Sequence, residues 1–160
     1  MIDGVRDSKL LAPAKREELA LLIGRQALAI GLGAASVREI AQLNVRRASH
    51  LAMRRALRRI EPYDHALIDG LAIRGFDLGA HTTIVDGDAR CYSIACAAIV
   101  AKVMRDRLMA RLARRYPAYG WERNAGYGTS EHLKALREHG ITPYHRRGFQ
   151  PIRELLDQEG

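Results

Sequence analysis

Carboxylates set at the ends of elements in a basic chain are the first residues here that could do chemistry. Asp69 closes HALIDG (65–70), a short apolar run that reads as a buried strand. Carboxylates at strand C-termini in α/β sheets often face a ligand crevice, although Asp-Gly is also simply a tight turn. Asp106 is the single acid in VAKVMRDRLMARLARR (100–115), which carries six basic residues. Lys102 lies four residues before it, so Asp106 also reads as a solvated charge in an ion pair worth ~0.2–0.5 kcal/mol. Asp86 and Asp88, in VDGDAR, form a third acidic cluster, with Asp88 suited to cap or tether the loop before the following helix. A strand-end acid and a helix acid together could hold Mg²⁺, which takes oxygen ligands from carboxylates, water and phosphates. Two such ions ~3.5–4 Å apart support phosphodiester cleavage, and neighbouring basic side chains would hold the phosphate backbone.

The elements that must position these acids follow from periodicity. PAKREELALLIGRQALAIG (13–31) predicts a helix, with Pro13 in its first turn and Leu19, Leu22, Ile23 and Leu28 on a broad apolar face. LAIGLGAAS (28–36) reads as a Gly-rich extended segment. Ser36 and Glu39 make a capping box opening a helix over about 37–60, with Ile40, Leu43 and Leu51 inward. HTTIVDG (81–87) is a second strand, and residues 91–116 form a long helix, apolar first and basic later. YPAYGWERNAGYGT (116–129) reads as an irregular loop. Thr129 or Ser130 caps a helix that Gly140 ends, before TPYHRRGFQPI and a short acidic end. Strands alternating with helices indicate an α/β layered domain.

Composition sets the partners. The chain has 160 residues, 26 Lys and Arg against 18 Asp and Glu, and a formal net charge of +8. That excess favours polyanions, nucleic acid first, although a basic protein need not have such a partner. Cys91 and Cys96, five residues apart on a helix, point about 140° apart, so reduced thiols and a cytoplasmic location are expected. No apolar run reaches a membrane span, so no membrane partner is expected, and a monomer is.

Several runs resemble ribonuclease HII, the family that cleaves the RNA strand of RNA–DNA hybrids and nicks duplex DNA at embedded ribonucleotides. They are GVRDSKLLAPAKREELA, ASVREIAQLNVRRASHLAMRRAL, LIDG, GDARCYSIACAAIVAKVMRDRLM, YPAYGW and GYGTSEHLKALREHGITPYHRRGF. The resemblance implies an α/β fold: a ribonuclease H-like mixed sheet flanked by helices, with a helical C-terminal part. Residues 1–160 would be a single domain of that kind, incomplete at the N-terminus with its first strands missing. It implies four acidic ligands for Mg²⁺ or Mn²⁺, of which Asp69 and Asp106 match the third and fourth. It makes Tyr127 of GYGT the tyrosine that stacks by the scissile junction and helps sense the 2′-hydroxyl, and Lys9 of DSK a residue near the phosphates. Arg146 and Arg147 match a motif of backbone contacts or structural ion pairs. A packed loop aromatic and a solvated amine are the alternatives for Tyr127 and Lys9.

The match departs at the start. The family opens with a strand bearing an Asp-Glu pair and then a Gly-Arg-Gly loop, and this sequence contains neither. Asp3 and Asp7 lie in the wrong segment to replace them, and Asp7 is expected to be structural. With two carboxylates in place of four, metal affinity should fall, sheet edges should be unpaired, and the chain is expected to be weak or inactive and marginally stable. A start codon placed too late, favoured because the remaining pattern shows no drift, or a genuine gene fragment would account for this. From another class, the alternative is a non-catalytic basic fragment that binds nucleic acid.

Overall fold

The computed structural model describes residues 1–72, 75 and 77–158. The chain forms two compact units, Met1–Ala34 with Ser49–Met104 and Ala35–Ala48 with Arg105–Gly160. Among the described residues no helix is long and apolar enough to cross a membrane.

In the first unit, Asp7 accepts a hydrogen bond from the Lys9 amide and caps a short 3-10 turn, Ser8–Leu10, which is the structural use expected of it. Helix α1 (Pro13–Gln26) buries Leu19 and Ile23 with Leu11 and Ile99. It stops earlier than the periodicity suggested: Ala27 is extended, and Leu28 lies wholly exposed beyond the helix rather than on its apolar face. The extended segment that follows runs against a helix and, among the described residues, pairs with no strand. A Cβ on Gly31 or Gly33 would sit 2.1 or 2.0 Å from the carbonyl oxygens of Ala56 and Ala52. Arg59 and Arg55 donate to the Leu32 and Ala34 carbonyls at 2.6 and 2.7 Å, satisfying backbone groups that no strand partner reaches.

The helix expected over 37–60 is two helices, α2 (Val37–Leu43) and α3 (Val45–Leu57). Asn44 divides them with φ 66°, and its side-chain oxygen accepts from the Arg47 amide at 3.1 Å. Asn tolerates positive φ and caps helices well, so one residue both breaks and restarts the helix. The Ser36–Glu39 capping box is present in full. Strands β1 (Ala66–Asp69) and β2 (His81–Ile84) pair in parallel, with Asp69 opposite Ile84. Ala66 and Ile68 face a cluster of Leu78, Met53, Leu57 and Tyr63, while Leu67 and Asp69 face outward. After a single turn, α4 (Gly87–Arg90), comes the long helix α5 (Tyr92–Arg115). It begins just after Cys91, so the two cysteines do not share a helix, and both are free.

The second unit is helical. A 3-10 turn, Pro117–Tyr119, and the single-turn helix α6 (Trp121–Asn124) order much of what reads in sequence as an irregular loop. Helix α7 (Ser130–His139) is capped by Thr129 and followed by Gly140, as expected. Helix α8 (Gln150–Gln158) lies where only an acidic end was anticipated, and the last two residues of that end fall outside the described residues. The core is Ala113, Tyr119, Trp121, Ala135, Leu136 and Ile152.

Candidate functional site

Asp69 sits at the C-terminal end of β1, exposed, with its Oδ1 accepting a hydrogen bond of 2.8 Å from the Gly87 amide. Gly87 is needed for that approach: a Cβ there would meet Ile94 Cδ1 at 2.7 Å and Asp69 Oδ1 at 3.2 Å. One oxygen of the carboxylate is thereby held. Sequence reasoning passed over Gly87, although a glycine between the acids of VDGDAR was the available signal.

Lys9 stands in the same unit. Its ammonium pairs with Asp88 at 3.1 Å and with Asp7 at 3.8 Å. Asp88 thus tethers the 8–10 turn to α4. The hydrogen bond and charge of Asp88, then the charges of Asp7 and Asp69, raise the Lys9 pKa above its usual value. The side chain is 74% exposed, and an ion pair of that kind is worth only about 0–1 kcal/mol.

Asp106 lies in the second unit, half-buried on α5. It follows Ile99 and Val103, both buried, at the i, i+4, i+7 spacing of one helical stripe, with exposed Arg105 and Arg107 on either side. That stripe is not the fully solvated face of α5. Arg105 donates to the Ala125 carbonyl at 3.1 Å, tying the helix to the loop that carries Tyr127.

Tyr127 is 62% exposed, yet both backbone groups of the residue are held. Its amide donates to the Asn124 carbonyl at 2.8 Å, and its carbonyl accepts from the Thr129 amide and faces His132 Nδ1, each at 2.9 Å. Ala125 and Gly126 precede it at φ 47° and 79°. Arg146 and Arg147 are both exposed, and the Arg146 guanidinium lies over the Phe149 ring at 5.6 Å. Arg147 lines a groove with Val37, Arg38 and Ala41. Tyr127, Arg146 and Asp106 belong to one unit, and Lys9 and Asp69 to the other.

Among the described residues no three His, Cys, Asp or Glu side chains are grouped as a metal site. The donors present are nonetheless of the right kind: carboxylates are hard oxygen ligands, and Asp69 is exposed with one oxygen held by an amide.

A strand-end carboxylate on a small parallel sheet, within a helix-rich α/β chain, places the molecule in the ribonuclease H-like fold class. The crystal structure of ribonuclease H2 from Pyrococcus horikoshii OT3 superimposes with a TM-score of 0.74 at 22% identity, over 97% of this chain and 81% of that one. In sequence, the chain is 56% identical over 155 residues to the ribonuclease HII of Thermosynechococcus vestitus, covering 97% of this chain and 72% of the relative. It is 53% identical to the ribonuclease HII of Granulibacter bethesdensis, covering 95% and 70%. The sequence profile of ribonuclease HII matches residues 3–152, and the chain belongs to the ribonuclease HII family. These are hydrolases, endoribonucleases of the ribonuclease H type, dependent on metal and acting on nucleic acid.

Proposed function

We propose that this chain, with two of the family's four carboxylate ligands, is a weak or inactive endoribonuclease directed at RNA–DNA hybrids and at duplex DNA containing ribonucleotides, as one ribonuclease H-like domain and as a cytoplasmic monomer. Asp69 and Asp106 are the ligands for Mg²⁺ or Mn²⁺. When bound, the metal activates water and neutralises charge on the leaving 3′-oxygen, giving a 5′-phosphate. Tyr127 offers an exposed ring on a fixed backbone, suited to stack at the junction and distinguish a ribonucleotide through its 2′-hydroxyl. Lys9, Arg146 and Arg147 hold backbone phosphates. The observation that carries the reading is Asp69, outward at the end of β1 and oriented by the Gly87 amide.

The net charge of +8 also suits binding without cleavage, and the two readings separate in one assay. A DNA duplex with one embedded ribonucleotide is incubated with the chain and Mg²⁺ or Mn²⁺, beside Asp69→Asn and Asp106→Asn. Metal-dependent incision that either substitution removes supports the proposal, and incision that survives both overturns the assignment of ligands. Salt-sensitive binding with no incision selects the binding reading.

A further inference from the structure

Behind Tyr127 lies a buried chain of hydrogen bonds that the nuclease reading does not use. The Trp121 indole nitrogen is 3.1 Å from His132 Nε2, which is 3.0 Å from His145 Nε2. The Thr142 amide lies 2.9 Å from His145 Nδ1, and His132 Nδ1 lies 2.9 Å from the Tyr127 carbonyl. Trp121, His132, His145 and Thr142 are all buried.

Proton counting fixes the roles at His132. An indole N–H and a backbone amide can only donate. His145 Nδ1 therefore accepts from Thr142, which leaves its proton on Nε2. His132 Nε2 accepts from Trp121, and the Tyr127 carbonyl can only accept, so the His132 proton is on Nδ1 and points at that carbonyl. Burial, then the charge of the neighbouring His132, lowers the His145 pKa to about 4.

The chain ends on a loop that is fixed from other directions too. Asn124 is buried; its side-chain amide donates to the Tyr119 carbonyl at 2.7 Å and its side-chain oxygen accepts from the Gly126 amide at 2.9 Å. Ala125 is held in a left-handed conformation that costs about 1–2 kcal/mol. Strain and buried polar groups spent behind an exposed ring mean that the position of the ring matters.

We infer that His132 is a positioning residue for Tyr127: as the Nδ1–H tautomer it grips the Tyr127 carbonyl and sets where the ring meets a ribonucleotide. The inference rests on the proposed contact of Tyr127 with substrate. His132→Gln keeps an acceptor near Trp121 and His145 but cannot reach the carbonyl. His132→Asn keeps an amide donor at the place of Nδ1. The readout is the ratio of affinities for a duplex with one ribonucleotide and for the same duplex all in DNA, without metal, together with nitrogen-15 NMR of the histidine rings.

The expected result is an Nδ1–H signature for His132, a ratio that His132→Gln lowers by about two- to tenfold, as Tyr127→Ala does, and recovery in His132→Asn. A ratio that Tyr127→Ala lowers and His132→Gln leaves at the parent value overturns the positioning role while keeping that of Tyr127. A ratio unmoved by Tyr127→Ala overturns both. If His132→Gln does not fold, the NMR of the parent and the ratio in His132→Asn decide: an Nε2–H tautomer, or a ratio as low as that of Tyr127→Ala, overturns the inference.

Discussion

At the scale of the residue, the molecule separates carboxylates that build from those that face outward. Asp7 and Asp88 are spent on a turn and on Lys9, whereas Asp69 is oriented by one amide and left exposed. Lys9→Ala should therefore weaken duplex binding by no more than about fivefold, the worth of ~1 kcal/mol, as fluorescence anisotropy would measure. His145 gives a stability prediction with a definite sign. Its folded pKa of about 4 lies below the unfolded value near 6.5, so the unfolded chain binds more protons between those limits. Stability is then complete above about pH 6.5 and lost as pH falls toward 4, by roughly 3 kcal/mol. Urea melts of the parent at pH 7 and 4.5 should differ by more than those of His145→Asn. The two ligand candidates and Tyr127 were legible from motif and resemblance. The service of Gly87, Asn124 and the histidine pair was not, because each depends on contacts made only on folding, those of Gly87 with Asp69 and of His132 with His145 between positions distant in sequence.

Elements show what local rules reach. Capping by Ser36, Thr129 and Asn44 is written in residue type, and Thr129→Ala should cost about 1 kcal/mol in a denaturant melt. Sequence periodicity carried the helix at 37–60 straight through Asn44, since the apolar spacing continues on either side of it. The segment at 28–36 was read as extended, and its glycines owe their identity to α3: Gly33→Ala would put a Cβ 2.0 Å from the Ala52 carbonyl oxygen. That contact is with backbone, which gives way only by moving the helix. The variant should lose about 2 kcal/mol or more, seen as a melting temperature lower by at least ~4 °C.

For the whole molecule the governing quantity is charge. With a net charge of +8 and exposed Lys9, Arg105, Arg107, Arg146 and Arg147, duplex binding should be dominated by released counterions. Contacts to about four phosphates would lower affinity on the order of 10²-fold between 50 and 200 mM salt. Arg146→Ala with Arg147→Ala should flatten that dependence without altering the preference for a ribonucleotide, because phosphate contacts position and do not specify. A log–log plot of affinity against salt checks both statements.

The sequence by itself determined the main helices and strands, the caps and the candidates for chemistry, because these depend on residue type and short spacing. Helix α5 shows it well: Ala, Ile and Val on its inner stripe, with Asp106 continuing the stripe amid arginines. Only the tertiary structure decided how those residues are held. The Gly87 amide that sets Asp69 is 18 residues away along the chain, and the histidine pair behind Tyr127 joins positions 13 residues apart. Hydrogen-bond partners and tautomers at such separations follow from which surfaces pack together, and no local pattern encodes them.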